Sequence, residues 1–129
     1  MAALGPVHHV SLSVSNRDRS AAWYCEVLGF EEDFREEGDE RRAAILRGAD
    51  GRSSLAVTEH VRLREADGGF DPTCLGLDHV AFTVPTLDEL HEWANRLTER
   101  GIEHSGVIEI PPGAILNLKD PDGIALALF

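Results

Sequence analysis

Apolar and polar side chains alternate from Val7 to Ser15, with Val10, Leu12 and Val14 on one side and His9, Ser11 and Ser13 on the other. A period of two predicts a strand with one buried face. Asn16 then caps a helix, its side chain suited to accept from an amide of the first turn. That helix runs to about Leu28, with Tyr24, Val27 and Leu28 as its apolar stripe, and Gly29 stops it. Strands are expected at Phe30–Glu37, Arg41–Arg47 and Ser53–Glu59, separated by turns at Gly38-Asp39 and Gly48–Gly51. On the last of these, Ala56, Thr58 and His60 share a face.

The layout then repeats. His9-Val-Ser-Leu-Ser-Val returns as His79-Val-Ala-Phe-Thr-Val, and the same step carries Asn16 onto Thr86 and Trp23 onto Trp93. Thr86 and Glu89 have the spacing of a capping box, and Leu87, Leu90, Ala94 and Leu97 form a helical stripe with Trp93 beside it. Gly101 closes this helix. Strands are expected at about Ile102–Ile110, Ala114–Lys119 and Ile124–Phe129, with Asp120-Pro-Asp-Gly as the last turn. Two copies of one β-α-β-β-β module, at about 5–60 and 76–129, are therefore predicted within a single domain spanning 1–129. The polar stretch at about 61–75 is the linker. Loops of that length often cover or line a pocket, and Phe70 sits in this one.

Composition narrows the partners. With 12 Lys plus Arg against 23 Asp plus Glu, a net charge of −11 argues against nucleic acid and anionic membrane surfaces and favours a cation at long range. No apolar run is long enough to span a bilayer, and Met1–Pro6 lacks the layout of a signal peptide. The expectation is a cytoplasmic protein. Cys25 and Cys74 are expected to be plain thiols. The acidic run Glu31–Glu40 reads as a solvated hairpin.

Several residues together resemble the vicinal oxygen chelate (VOC) superfamily, the glyoxalase/bleomycin resistance protein/extradiol dioxygenase group. They are His9–Val14, Trp23–Phe30, Gly76–Val84 and Asp120–Gly123, in that order. The resemblance implies an α+β fold of two tandem βαβββ modules whose curved mixed sheets surround a cavity, commonly in a homodimer. It also implies a ligand set in metal-bearing members. Two histidine positions match His9 and His79, while the two usual carboxylate positions fall on Ala56 and Ala127. His60 lies on the Ala56 face but about 13 Å along the strand. Glu59, Glu109 and Asn117 are other donors that the alternation does not aim at the site.

Two readings follow. In the first, the chain is a glyoxalase/bleomycin resistance-type protein that binds a small organic ligand, with no tightly bound metal. Parity places Ser11, Ser13, Ala56, Thr58, Ala81, Thr83, Ala125 and Ala127 on the cavity face, and His60 and Phe70 join them as ligand-contact candidates. In the second, it is a metal-dependent lyase, isomerase or dioxygenase, with His9 and His79 holding a divalent metal through non-standard further ligands. His9 and His79 are also the candidates for proton transfer in a metal-free reaction. His8 is expected to point away from His9. His91 and His104 are expected at the surface or a rim, Trp23 and Trp93 in the core, and Phe129 in the core in preference to the pocket.

Overall fold

The helix that Asn16 opens is too short to be stable alone, so its order depends on what it packs against. A computed structural model describes residues 2–63 and 69–129 of the chain, which divides into two compact units at 1–64 and 65–129. The first contains β1 (Val10–Ser13), α1 (Arg17–Leu28), β2 (Glu31–Glu36), β3 (Arg41–Arg47) and β4 (Ser54–His60). Its sheet has the order β1-β4-β3-β2, with β1 parallel to β4 and the other pairs antiparallel.

Alternation along these strands separates two faces. Leu12, Ala44, Leu46, Leu55 and Val57 are buried, and α1 lies against β3 and β4. From the helix come Ala21, Tyr24 and Val27, and Tyr24 meets Phe30 edge to face at 6.1 Å between ring centroids. Full burial of a residue such as Leu or Val is worth about 1.5–3 kcal/mol. That gain orders a helix whose sequence alone would not hold.

The buried face of α1 is not wholly apolar. Arg17 is only 3% exposed, and Ser20 is fully buried. The Arg17 guanidinium donates to Glu37, at the end of the acidic hairpin, and to Asp18. Its backbone N–H donates to Glu59 Oε2 at 2.8 Å, so a β4 carboxylate caps the first turn alongside Asn16, which accepts from Arg19 N at 2.9 Å. Arg42 also donates to Glu59, at 3.1 Å. Neither role of Glu59 is visible in the local pattern.

The acidic hairpin is exposed along all of β2, as expected, yet it is partly neutralised. Arg35 pairs with Glu32 and Asp18, and Arg47 with Asp33. The register of β2 against β3 shifts between Glu32 and Phe34, so Asp33 sits in a bulge and Phe34 faces Ile45.

The second unit contains β5 (Val80–Phe82), α2 (Leu87–Glu99), β6 (His104–Ile110), β7 (Gly113–Lys119) and β8 (Ala125–Leu128), with strand order β5-β8-β7-β6. Leu90 and Leu97 of α2, and Leu116, Leu118, Leu126 and Leu128 of the sheet, are buried. Thr86 caps α2 by accepting from Glu89 N at 3.2 Å. Glu89 accepts from the Thr86 hydroxyl instead of the cap amide that a full capping box would use. Leu87, placed in the stripe by its spacing, is half exposed because it precedes the turns that touch the sheet. Trp23 and Trp93 are half-buried, and the Arg96 guanidinium lies 4.4 Å over the Trp93 ring. Asp120 Oδ1 accepts from Asp122 N and Ile124 N, closing the last turn. The four strands and one helix per unit match the expected βαβββ order, with ends shifted by up to three residues. No helix among the described residues is long and apolar enough to cross a membrane.

The cap from β4 gives a pH signature. Arg17 N–H first, and Arg42 second, hold the Glu59 carboxyl below its ordinary value of 4.5. A depressed folded-state value contributes stability that is complete above 4.5 and lost as pH falls through the folded value. Glu59→Gln should therefore lower Tm at pH 7, with the difference from the parent shrinking as pH drops below 4.5. Thermal unfolding across pH checks it. A difference unchanged down to acid pH would contradict this role for Glu59.

Candidate functional site

The face of the first sheet turned away from α1 carries small and polar side chains in register. Ser11, Ala56, Ile45 and Phe34 form one row across β1-β4-β3-β2, and Ser13, Thr58, Ala43 and Glu36 form the next. Two positions from the first row, on the side away from Thr58, lie Ser54 and Arg47, with His9 just before β1. A cleft of about 520 Å³ opens over this face. Its floor is Ala43, Ala56 and Thr58, its walls include Phe34, and the turn at Gly51–Ser53 closes one end beside His8, His9 and Arg47. Small floor residues leave the volume, as a site for a small organic molecule needs.

Hydroxyl groups tie the floor together. Ser11 Oγ and Thr58 Oγ1 are 2.8 Å apart, with Thr58 buried and Ser11 open to the cleft. Asp50 shapes the turn at the end. Its Oδ1 accepts from Ser53 N at 2.8 Å and Arg52 N at 2.9 Å, and its Oδ2 accepts from Ser53 Oγ at 2.7 Å. These bonds, Ser53 N first, bring the Asp50 carboxyl down to about 2.

His8 departs from expectation. Strict alternation would turn it away from His9, but both line the cleft, with their Nδ1 atoms 2.9 Å apart and rings edge to face. The reason is that β1 begins only at Val10, so His8 precedes the regular pleat. One Nδ1 donates and the other accepts, so the accepting ring, when neutral, carries its hydrogen on Nε2. The pair thereby keeps an N–H available beyond its own bond.

Other sequence-chosen residues fall elsewhere. Ser13 shares the face but does not line the cleft, and His60 lies exposed at the end of β4, opposite Arg41. In the second unit, Ala127 stands in register with Ala81 and Asn117 and is 1% exposed. Thr83 is exposed. His79 is exposed and its Nδ1 donates to Asp78 Oδ1 at 2.6 Å, which leaves Nε2 to accept. A second cleft of about 500 Å³, bordered by Val84, Leu87, Pro112 and Phe129, contains none of His79, Thr83 and Ala127. Phe129 is 53% exposed there, correcting the preference for core packing. Phe70 is half-buried and lines neither cleft. His91 is exposed, and His104 is half-buried with Nε2 2.7 Å from Thr98 Oγ1. Cys25 and Cys74 are free thiols, and burial foremost pushes the Cys25 thiol up, away from nucleophilic use.

The donors do not fit a tightly held divalent ion. Ala56, in register with Ser11 and two residues from the His9 position, presents a methyl to the cleft. Glu59 is occupied by Arg17 and Arg42 at the α1 terminus. Among the described residues no three His, Cys, Asp or Glu side chains gather as a ligand set. Sequence reasoning missed His8, Phe34, Arg47 and Arg52 as cleft residues. For Phe34 the cause is the bulge, which no pattern of apolar residues announced. Arg47 ends β3, beyond the alternation of β1 and β4, and Arg52 lies in the Gly51–Ser53 turn, where strand parity does not apply.

Thr58→Val keeps the shape of the floor and removes the bond to Ser11. Since the Ser11 hydroxyl can turn to water, the loss should be about 1 kcal/mol, read by urea unfolding. A cost several times larger would show that the two hydroxyls are not the only groups joined there.

Known proteins share this fold. A domain from Frankia sp. EAN1pec described as glyoxylase/bleomycin resistance protein/dioxygenase has 35% sequence identity and a TM-score of 0.88, covering 98% of this chain and 97% of its own. YwkD of Bacillus subtilis is 30% identical over 98% of this chain and 97% of its own length. TnmS3 from Streptomyces sp. CB03234, an antibiotic binding protein, shares the fold at 22% identity with a TM-score of 0.75, covering 99% and 97%. Residues 7–128 match the model of one family, and the chain belongs to the Glyoxalase/Bleomycin resistance protein/Dioxygenase superfamily.

Proposed function

We propose that this chain binds a small organic ligand in the cleft of its first unit without a tightly held metal. The observation that carries this is the floor: Ala43, Ala56 and Thr58 lie side by side under about 520 Å³ of space, with Phe34 at the wall. Methyl groups and one paired hydroxyl offer contact area and no ligand charge. Phe34 is 52% exposed, a cost that a bound apolar body would relieve. The antibiotic binding described for TnmS3 shows the same fold in a binding role. A homodimer and a cytoplasmic setting belong to the same reading.

Ligand contact in the cleft would come from Ser11, Ala56 and Thr58, with His9 at its end. His60, Phe70, Ser13, Thr83 and Ala127 do not line it. His9 can orient a polar group of the ligand through a ring nitrogen. His79 keeps an accepting Nε2 through its bond to Asp78, which suits either a proton or a metal.

Calorimetric titration with a panel of small aromatic and heterocyclic compounds tests the binding. Ala56→Leu fills the floor with three further carbons, so it should weaken any ligand bound there by about tenfold or more while the parent circular dichroism is kept. Binding that is indifferent to Ala56→Leu would place the ligand elsewhere. Protein purified without chelators should hold nickel, zinc, manganese or iron well below one equivalent. A full equivalent, removed by chelator with loss of ligand binding, would favour the metal-dependent enzyme.

A further inference from the structure

The cleft differs in sign from the chain that carries it. The chain has 12 Lys plus Arg against 23 Asp plus Glu, yet the cleft is lined by Arg41, Arg47 and Arg52 against Asp33 and Glu36. Three arginines directed elsewhere in the first unit are matched: Arg17 with Glu37 and Asp18, Arg35 with Glu32 and Asp18, Arg42 with Glu59. Within the cleft Arg47 reaches Asp33 at 3.4 Å. Among the described residues no ion pair joins Arg41, Arg52 or Glu36 to a partner, so two unpaired guanidiniums face one unpaired carboxylate in the cleft. Asp50, the acid nearest Arg52 in sequence, spends its oxygens on Ser53 and on the Arg52 backbone N–H, not on the Arg52 guanidinium.

Arg52 has company of the right kind. At the same end of the cleft lie His8 and His9, whose bonded pair keeps an Nε2–H free, and Ser54. A guanidinium offers two parallel N–H donors to an oxyanion, and imidazole N–H and hydroxyl can supply more. Next to these residues along the cleft lies the apolar patch of Phe34, Ile45, Ala43 and Ala56, with Glu36 and Arg41 at the far end. Binding to this arrangement needs an oxyanion at one end of the ligand and a flat apolar body behind it.

From this arrangement we infer that the ligand is a small organic acid, an aromatic or aliphatic carboxylate, whose oxyanion is anchored by Arg52 with the His8–His9 pair. The proposal rests on the reading of the cleft as a binding site and adds the chemical class. It runs against the preference that the chain's overall charge sets for a cation at long range. Near contact the ligand meets three guanidiniums against the Asp33 and Glu36 carboxylates of the lining, while charges beyond about 8–10 Å are largely screened.

Three probes of one shape, benzoate, benzyl alcohol and benzylamine, separate the outcomes by calorimetry. Benzoate should bind about tenfold tighter than benzyl alcohol, and benzylamine weakest. Arg52→Gln should bring benzoate down to the affinity of the alcohol, while Arg42→Gln, on the opposite face, should leave the preference intact. If the alcohol or amine binds as well as benzoate, the organic-acid inference falls and the cleft still stands as a binding site. If none of the three binds, both fall. If benzoate binds preferentially but R52Q has no effect, the assigned anchor is wrong and the inference is overturned.

Discussion

The sidedness of β4 is the constraint on which the rest depends. Leu55 and Val57 are driven against α1, and this fixes Ala56 and Thr58 on the opposite face, because neighbours in a strand cannot share a side. A slip of one residue would turn leucine and valine into the cleft and alanine onto the helix, so the register that builds the core also builds the site. β1 and β3 obey the same rule, and their rows of Ser11-Ala56-Ile45 and Ser13-Thr58-Ala43 follow from it.

Packing on one face thus pre-organises a surface of low cost on the other. Methyl-bearing positions leave space without burying an unpaired polar atom, and the Ser11–Thr58 pair satisfies the one hydroxyl that is buried there. The ionic contacts serve a different end. Arg17, Asp18, Arg35, Arg42 and Glu59 join the start of α1 to β2, β3 and β4, keeping the helix seated against the sheet whose other face forms the cleft.

Much of this was legible in the sequence. The repeat of His9–Val14 at His79–Val84 gave both units, and the caps at Asn16 and Thr86 gave both helix starts. Parity placed Ser11, Ala56 and Thr58 together correctly, because alternation survives in the regular strands β1 and β4. What could not be read is long-range or irregular. Arg17 looks like an exposed first-turn residue until Glu37, twenty residues away in the chain, closes over it. His8 lies outside the pleat, and the bulge at Asp33 sets the facing of Phe34. Net charge is equally silent here, since a sum over the chain carries no information on which side chains meet in one cleft.

The fold hosts many chemistries, and the site decides among them. Here Ala56 presents a methyl, not a carboxylate, beside the His9 position, and three arginines line the cleft against two carboxylates. Amide-resolved NMR during addition of benzoate tests this account most directly. The account predicts shifts concentrated at Ala43, Ile45, Arg52, Ser54, Ala56 and Thr58, saturating together with one affinity. Saturable shifts confined to residues outside that face, or none at all, would contradict it.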